Sequence, residues 1–346
     1  MIKIDKRIIG NNCPPYIVAE LSANHNGDFD RAIEIINIAK EQGADAIKLQ
    51  TYQADTMTID SDTDDFQITT GLWKGYNLYK LYQWAQTPYE WHEELFRHSK
   101  KIGLTCFSTP FDESAVDLLE DLNSPAYKIA SFEATDIPLV KYAASTKKPL
   151  IISTGMANYE EISEVVQTAR DAGCSELVLL HCVSSYPAPL EAYNLKTIPD
   201  LSSEFNVDVG LSDHTMGIDT SLAGIALGAC LIEKHVTTSR EHTGPDSEFS
   251  LEPDELGSLC KQSLSVWKSL GKINYELRDE EKENLRFRRS IYVVEDIEVG
   301  EQISIKNIRR IRPSFGLEPK YFDEVLGKTA KVVIKKGTPL SWEMME

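Results

Sequence analysis

VDVGLSDHTMG (207–217) and LIEKHVT (231–237) each start as a short apolar run and end in polar, loop-forming residues. The first leads into a turn of the kind that starts a helix. A run that is apolar on both faces is what a parallel strand buried between two layers requires. Each of the two closes on a histidine, His214 and His235, at matching positions of successive strand–helix units.

Six further runs share the pattern: YIVAELS (16–22), AIKLQTY (46–52), LTCFSTP (104–110), AYKIAS (126–131), PLIISTG (149–155) and LVLLHCV (177–183). Helical patterns lie between them, such as DFDRAIEIINIAKEQGA and YEEISEVVQTARDAGC, the latter with Gly173 as its C-cap. Strand–helix units repeated in this way over about 270 residues predict a (β/α)8 barrel, whose usual size is about 250 residues. An open doubly wound sheet is the alternative, but no G-x-G-x-x-G follows the first strand.

Two segments fall outside the repeat. Residues 53–88 carry DSDTDDF and GLWKGYNLYKLYQWAQTPYEWH, far more than an ordinary βα loop. Their aromatic density predicts a lid or an oligomer contact. Beyond the helical EPDELGSLCKQSLSVWKSL, the charged NYELRDEEKENLRFRR (274–289) reads as a linker. Short strands, Gly turns and many charges then predict a separate, small, mostly β domain over 290–346, leaving 1–273 to the barrel.

The bulk properties narrow the function. The net charge of −18 argues against nucleic acid or an anionic membrane as a partner. An anionic substrate then needs a local basic cluster working against the global field. MIKIDKRIIGNNCPP lacks the apolar region of a signal peptide and no run reaches 18 apolar residues, so a cytoplasmic protein is expected. The six cysteines are scattered without a C-x-x-C pair, which points to neither a zinc finger nor a disulfide framework.

Barrel enzymes place their chemistry at the C-terminal ends of the strands. Here those ends carry Glu20, Lys48 with Gln50, Thr109, Lys128 with Ser131, Ser153, Tyr186, Ser212 with His214, and Glu233 with Lys234 and His235. Lys48 and Lys128 lie within apolar strands, where an ammonium is costly without an anion. One such lysine can snorkel to solvent. Two, joined by Lys234 at the same mouth, predict a phosphate or carboxylate site. A lone strand-end histidine is more often a hydrogen-bonded core residue than a ligand, but two on adjacent strands beside Asp213, Glu233 and Asp246 predict a metal. Two imidazoles supplemented by water and substrate oxygens suit an open site for a divalent ion such as Mn2+, Fe2+ or Co2+. A structural zinc site needs four protein ligands, and four cannot be assembled.

The motifs AELSANHNG, AIKLQTY, FSTPFD, YKIAS, ISTGMA, SSYPAP, LSDHTMGI, IEKHVT and GPDSEFSLEP resemble, in order and along nearly the whole chain, those of the sialic acid synthase family. The C-terminal RSIYVVEDIEVGE and IRPSFGL resemble its antifreeze-like (SAF) domain, with Ser314 where the family usually has Gly. PAYKIASFEATDIPL, CVSSYPAP, TPYEWH and GLSDHT are most similar to the pseudaminic acid synthase branch. The resemblance implies condensation of phosphoenolpyruvate with an acetamido-hexose, 2,4-diacetamido-2,4,6-trideoxy-L-altrose in that branch, with loss of phosphate by C–O cleavage. N-acetylneuraminate and legionaminate synthases are the alternatives within the family.

The resemblance also implies roles. His214 and His235 would bind the metal, Mn2+ foremost with Co2+ or Mg2+ as alternatives. Lys48, Lys128, Ser131, Ser153 and Ser184 would hold phosphoenolpyruvate, with Gln50, Thr109, Ser212 and Glu233 among the other substrate-binding residues. Glu20 and Tyr186 would act at the reacting carbons. Asp246 would hydrogen-bond the sugar, and Arg312 would reach it from the small domain of a domain-exchanged homodimer. Phe132 and the Ser184–Ser185 pair predict a less polar wall around the sugar's C4 and C6. Among rivals, a metal-dependent barrel hydrolase would carry H-x-H after its first strand, where SANHNG has only His25. A synthase for a phosphorylated sugar would need a second phosphate cluster. A carbohydrate-binding protein with a vestigial site would have little need for both histidines and buried lysines.

Overall fold

Eight parallel strands close on themselves in the computed structural model, which describes residues 1–346 and divides them into two units, Met1–Gly271 and Lys272–Glu346. An antiparallel hairpin, β1 (Ile2–Ile4) and β2 (Arg7–Ile9), comes first. The barrel follows as β3 (Tyr16–Glu20), β4 (Ala46–Thr51), β5 (Thr105–Pro110), β6 (Tyr127–Ile129), β7 (Leu150–Ser153), β8 (Leu177–Cys182), β9 (Asp208–Ser212) and β10 (Leu231–His235). β10 pairs with β3 and closes the ring. All eight strands read from the sequence are present. The fourth is shorter than its apolar run, because Ser131–Glu133 turn into a 3-10 helix.

Alternation along each strand sorts the side chains into two cores. Ile17, Ala19, Ile47, Leu49, Ile129, Ile152, Leu179, Val209, Leu211 and Ile232 face outward and pack against the helices. Tyr16, Val18, Ala46, Phe107, Ile151, Val178, Leu180 and Leu231 fill the interior, together with Ile2, Ile4 and Ile9 of the hairpin. The hairpin thus plugs the N-terminal end of the barrel, a role the opening residues did not disclose as sequence. Gly210 is needed inside: a Cβ there would lie 2.5 Å from the Leu231 carbonyl oxygen and 2.6 Å from Leu180 Cδ2. With the lower barrel filled by apolar groups, the polar residues left over emerge at the opposite mouth.

Segment 53–88 carries two short helices, Ala54–Met57 and Leu78–Ala85, joined by a turn in which Gln67 bridges Asn77. Asn77 caps the second helix through the Tyr79 and Lys80 N–H groups and donates to the Ser61 carbonyl at 2.7 Å. The segment folds over the C-terminal mouth. Trp73 Nε1 donates to the Pro245 carbonyl at 2.9 Å and Trp84 Nε1 to Asn26 Oδ1 at 2.9 Å, while the Tyr76 and Trp84 rings stack. Of the two expectations for this segment, the lid describes its place in the fold.

The second unit has its own core of Ile291, Val293, Ile297, Ile303, Ile308, Val325, Ala330, Ile334, Leu340 and Met345. It pairs β11 (Ser290–Val293) with β12 (Ile308–Ile311) and adds isolated bridges such as Ile297 to Ile334 and Gln302 to Thr329. Residues 272–289 group with this unit and include the 3-10 helix Asp279–Phe287. No helix in the chain is long and apolar enough to cross a membrane.

Candidate active site

The inward positions at the C-terminal ends of the strands bring most of the polar residues singled out by sequence into one cluster. Register sets the neighbours: Glu20 stands beside Lys48 and His235, Gln50 beside Thr109, and Ser212 beside Cys182 and Glu233. Lys48 Nζ lies 2.8 Å from Glu20 Oε2 and donates to Thr109 Oγ1 at 2.9 Å. Lys128 Nζ donates to both Glu233 oxygens at 2.8 and 3.1 Å, and Ser212 Oγ donates to Glu233 Oε1 at 3.2 Å. Gln50 Nε2 completes the ring by donating to Glu20 Oε1 at 3.0 Å.

The two carboxylates are not equivalent. Burial pushes both up, but Lys128 and Lys48 outweigh it at Glu233 and hold that carboxyl well below its ordinary range. Glu20 has only Lys48 close by and stands near the charge of Glu233, so burial wins and its pKa is raised to about 7. Burial opposes both ammonium groups. Glu20 and Glu233 overcome it at Lys48, whereas Lys128 is lowered by burial with the help of Lys48. Two buried ammonium groups that share Glu233 at one barrel mouth can receive an anion by exchanging part of that pairing.

Beside them is a cradle of hydroxyls. Gly155 N–H donates to Ser131 Oγ at 3.2 Å. A Cβ on Gly155 would lie 2.3 Å from Ser184 Oγ and 2.6 Å from Ser131 Oγ, so only glycine leaves this space open. Ser153 Oγ is buried on the same strand end and has no hydrogen-bond partner. Ser184 and Ser131 thus converge on the same glycine.

The histidines meet at the centre of the mouth with ring centroids 5.5 Å apart. His214 Nδ1 lies 3.0 Å from the Val183 carbonyl, to which it donates, leaving Nε2 as the lone-pair nitrogen. His235 Nδ1 lies 3.1 Å from Ser22 Oγ, whose proton goes to Asp246 Oδ2 at 2.5 Å. Its Nε2 is likewise left as an acceptor, and burial followed by the neighbouring His214 keeps this imidazole neutral. Orientation of a ligand ring through its far nitrogen is the usual support of a metal-binding histidine. The donor chemistry fits a divalent ion held by two imidazoles and completed by oxygens. No cluster of three or more His, Cys, Asp or Glu able to hold an ion is present. Asp246 takes its second donor from Ala23 N–H at 3.2 Å.

Tyr186 packs over the pair, 4.5 Å from the His214 ring and 5.2 Å from Phe249, with Trp73 of the lid 5.5 Å away. Above lies a cavity of about 420 Å³, lined by Gln50, Tyr186, His235 and Asp246 on one side. Met57, Ile68, Leu81, Phe111 and Phe132 make it largely apolar elsewhere.

Two expectations need correction. Lys234 does not face this mouth. Its neighbours Glu233 and His235 point inward, so alternation turns Lys234 outward, where it meets Asp213 at 3.0 Å. Asp213 is turned outward for the same reason and does not face the histidine pair. Arg312 lies in the second unit, exposed, next to Pro313.

Sequence reading missed Glu133, Cys182 and Gly155. Glu133 lines the cavity, and burial raises its carboxyl to about 7. Cys182 Sγ is 3.9 Å from His214 Nδ1. The inward parity of β8 could have found Cys182; nothing in the local pattern marked Glu133.

Residues 35–275 match the NeuB family model and residues 288–346 match the SAF domain. The chain belongs to the NeuB family. It is 44% identical over 325 residues to the pseudaminic acid synthase of Campylobacter jejuni, covering 94% of this chain and 95% of that protein. Identity to the Helicobacter pylori pseudaminic acid synthase is 43% over 334 residues, covering 96% and 98%. Among solved structures, the N-acetylneuraminic acid synthetase of Leptospira borgpetersenii superposes with a TM-score of 0.74 at 32% identity, over 83% of this chain and 95% of that one.

Proposed function

We propose that this NeuB-family enzyme is a pseudaminic acid synthase, condensing phosphoenolpyruvate with 2,4-diacetamido-2,4,6-trideoxy-L-altrose and water to a nine-carbon ulosonic acid and phosphate. The observation that carries the reading is the conjunction of two buried lysines and a glycine-gated hydroxyl cradle with two facing imidazoles beneath an apolar cavity. Lys48 and Lys128 trade part of their pairing with Glu20 and Glu233 for the carboxylate and phosphate of phosphoenolpyruvate. Ser131, Ser153 and Ser184 supply hydroxyl donors to the same anion.

His214 and His235 would hold a divalent ion through Nε2, with Mn2+ the first choice and Co2+ or Mg2+ the others. When bound, such an ion acts as a Lewis acid toward the sugar's open-chain aldehyde. The enol C3 adds to that aldehyde carbon, and water adds at C2. Glu20 is the carboxyl poised to take a proton from this water, since its raised pKa matches proton transfer near neutrality. Breaking the C2–O bond releases phosphate and leaves the keto acid. Asp246, Gln50 and Tyr186 line the space for the sugar, Thr109 and Glu233 hold the lysine ammonium groups in register, and Ser212 holds Glu233.

The apolar wall supports the 6-deoxy acceptor. An apolar pocket discriminates against an added hydroxyl by only about 10²-fold. Phosphate release from phosphoenolpyruvate should therefore be roughly that much faster, in kcat/KM, with the diacetamido-trideoxy sugar than with N-acetylmannosamine. Equal values on both sugars would remove the pseudaminic acid assignment and leave the family standing, and no release with any acetamido sugar would end the synthase reading.

A domain-exchanged homodimer belongs to the same proposal. Its support is the run of exposed apolar residues in the second unit: Ile273, Tyr275, Phe287 and Phe315. Arg312 would then serve the barrel of the partner. Co-expression of Arg312→Ala with His235→Ala, each inactive alone, should return roughly a quarter of wild-type activity, because about half the dimers are mixed and each has one intact site. No recovery in verified mixed dimers rejects the exchange.

A further inference from the structure

We infer that the buried Asp213–Lys234 pair, on the outer face of the barrel, is a positioning device that sets the spacing of His214 and His235. The inference rests on the reading of these histidines as the metal ligands.

The outward face of β9 and β10 is otherwise apolar: Val209, Leu211 and Ile232, followed by Val236, all belong to the core between strands and helices. Asp213 and Lys234 interrupt it with two charges that are each about 1% exposed. A buried ion pair adds little net stability over apolar residues of the same size. Packing alone therefore does not explain its place here. Each charge immediately precedes one of the two histidines.

Both contacts of Lys234 tie the two strand ends together, and those of Asp213 close the turn that follows β9. Lys234 Nζ lies 3.0 Å from Asp213 Oδ2 and donates to the Thr215 carbonyl at 2.5 Å, thereby gripping the residues on both sides of His214. Asp213 accepts from Thr215 N–H and Oγ1, both at 2.8 Å, and from Ser221 Oγ at 2.6 Å. The turn carrying His214 is thus closed on itself and clamped to the residue before His235. His214 N–H also donates to Tyr193 Oη at 2.7 Å, which fixes the same peptide. Two ligands alone cannot fix an ion's place if their separation drifts, and coordination tolerates only about 0.2 Å in each metal–ligand distance. An inextensible link behind the rings supplies the missing constraint.

The test uses the full-length protein and Mn2+ alone, with binding followed by the electron paramagnetic resonance of the free ion and folding by circular dichroism and thermal midpoint. Lys234→Met and Asp213→Asn should each weaken Mn2+ binding by at least 10-fold, as removal of outer supports of metal ligands does. Ser221→Ala, which deletes one donor to Asp213 and leaves the ion pair, should stay folded and weaken binding by about twofold to fivefold. A double variant, Asp213→Asn with Lys234→Met, removes both charges and should regain thermal stability over the single variants without regaining affinity. If the singles fold and bind Mn2+ within twofold of wild type, the pair is a structural cross-link and the inference is wrong. If the singles do not fold, an unchanged Ser221→Ala affinity overturns it instead. Wild-type protein that fails to bind Mn2+ removes the metal reading itself, and this inference with it.

Discussion

Gly155→Ala isolates the anion cradle from the rest of the fold. The added methyl would sit 2.3 Å from Ser184 Oγ and 2.6 Å from Ser131 Oγ, against a practical limit of 3.0 Å, so the hydroxyls must retreat by about 0.7 and 0.4 Å. Both are ends of side chains, and Gly155 is not in the left-handed region, so the backbone need not move. Stability should change by less than about 1 kcal/mol, within the range of tolerated substitutions. The proposed phosphate site should suffer far more. Two hydroxyl donors to a charged group, each worth about 1.5–3 kcal/mol, are displaced or lost. At the lower end this is about 3 kcal/mol, or roughly 10²-fold in kcat/KM for phosphoenolpyruvate. Initial rates of phosphate release, with phosphoenolpyruvate varied at saturating sugar and then the reverse, should show the loss in the first series and a near-normal KM in the second. Gly210→Ala is the control of opposite kind. Its methyl meets the Leu231 carbonyl at 2.5 Å inside the barrel, so it should cost folding itself. A well-folded Gly155→Ala enzyme with wild-type kcat/KM for phosphoenolpyruvate would show that the serine cluster is not the phosphate site.

Glu133 titrates in the folded protein at about 7 because burial raises it from 4.5, with Asp136 adding to the rise and its own backbone N–H and Lys128 opposing it. A raised carboxyl makes the folded state hold a proton that the unfolded chain gives up, so stability falls as pH rises from about 4.5 to about 7 and stays reduced above. Glu133→Gln should abolish that slope and raise the thermal midpoint at pH 8, by up to about 3 kcal/mol in free energy, while lowering turnover; an unchanged midpoint at pH 8 contradicts the burial argument. Excess chelator should stop phosphate release and added Mn2+ should restore it, with His214→Ala and His235→Ala beyond rescue; full activity after exhaustive chelation would remove the metal. Trp73→Phe keeps the ring against Tyr186 but loses the donor to the Pro245 carbonyl. This should raise the KM for the sugar about 2- to 12-fold and leave that for phosphoenolpyruvate alone; the opposite pattern would place the lid over the wrong substrate.

The barrel was legible because a parallel strand buried on both faces must be apolar almost throughout, and eight such runs recur between amphipathic helices. The polar exceptions within those runs were equally legible: Lys48, Lys128, Glu233 and the two histidines stand out against apolar neighbours, and all of them meet at one mouth. The lid and the cradle were not. Residues 53–88 have no period that says what they cover; Trp73 and Trp84 reaching Pro245 and Asn26, with Met57, Ile68 and Leu81 lining the cavity, assign them to the mouth. Gly155 looks like any turn glycine until Ser131 and Ser184, from two other strand ends, are seen to converge on it.

The error over Lys234 is of a different sort, because the information needed to avoid it was present. Side chains in a strand alternate with a period of two. If His235 and Glu233 face the interior, the residue between them cannot. The same parity separates Asp213 from Ser212 and His214. Polarity at a strand end is thus a sum of two signals, one from the inner face that does chemistry and one from the outer face that positions it. Parity divides them before any coordinates exist: Lys48, Gln50, Thr109, Lys128, Ser153, Cys182, Ser212, Glu233 and His235 fall on one side, Asp213 and Lys234 on the other. The first set is where substitutions should act on substrate and rate. In the second, they should act on the distance between groups that never touch the substituted residue, and the Mn2+ affinity of the Lys234→Met protein is where that distinction becomes measurable.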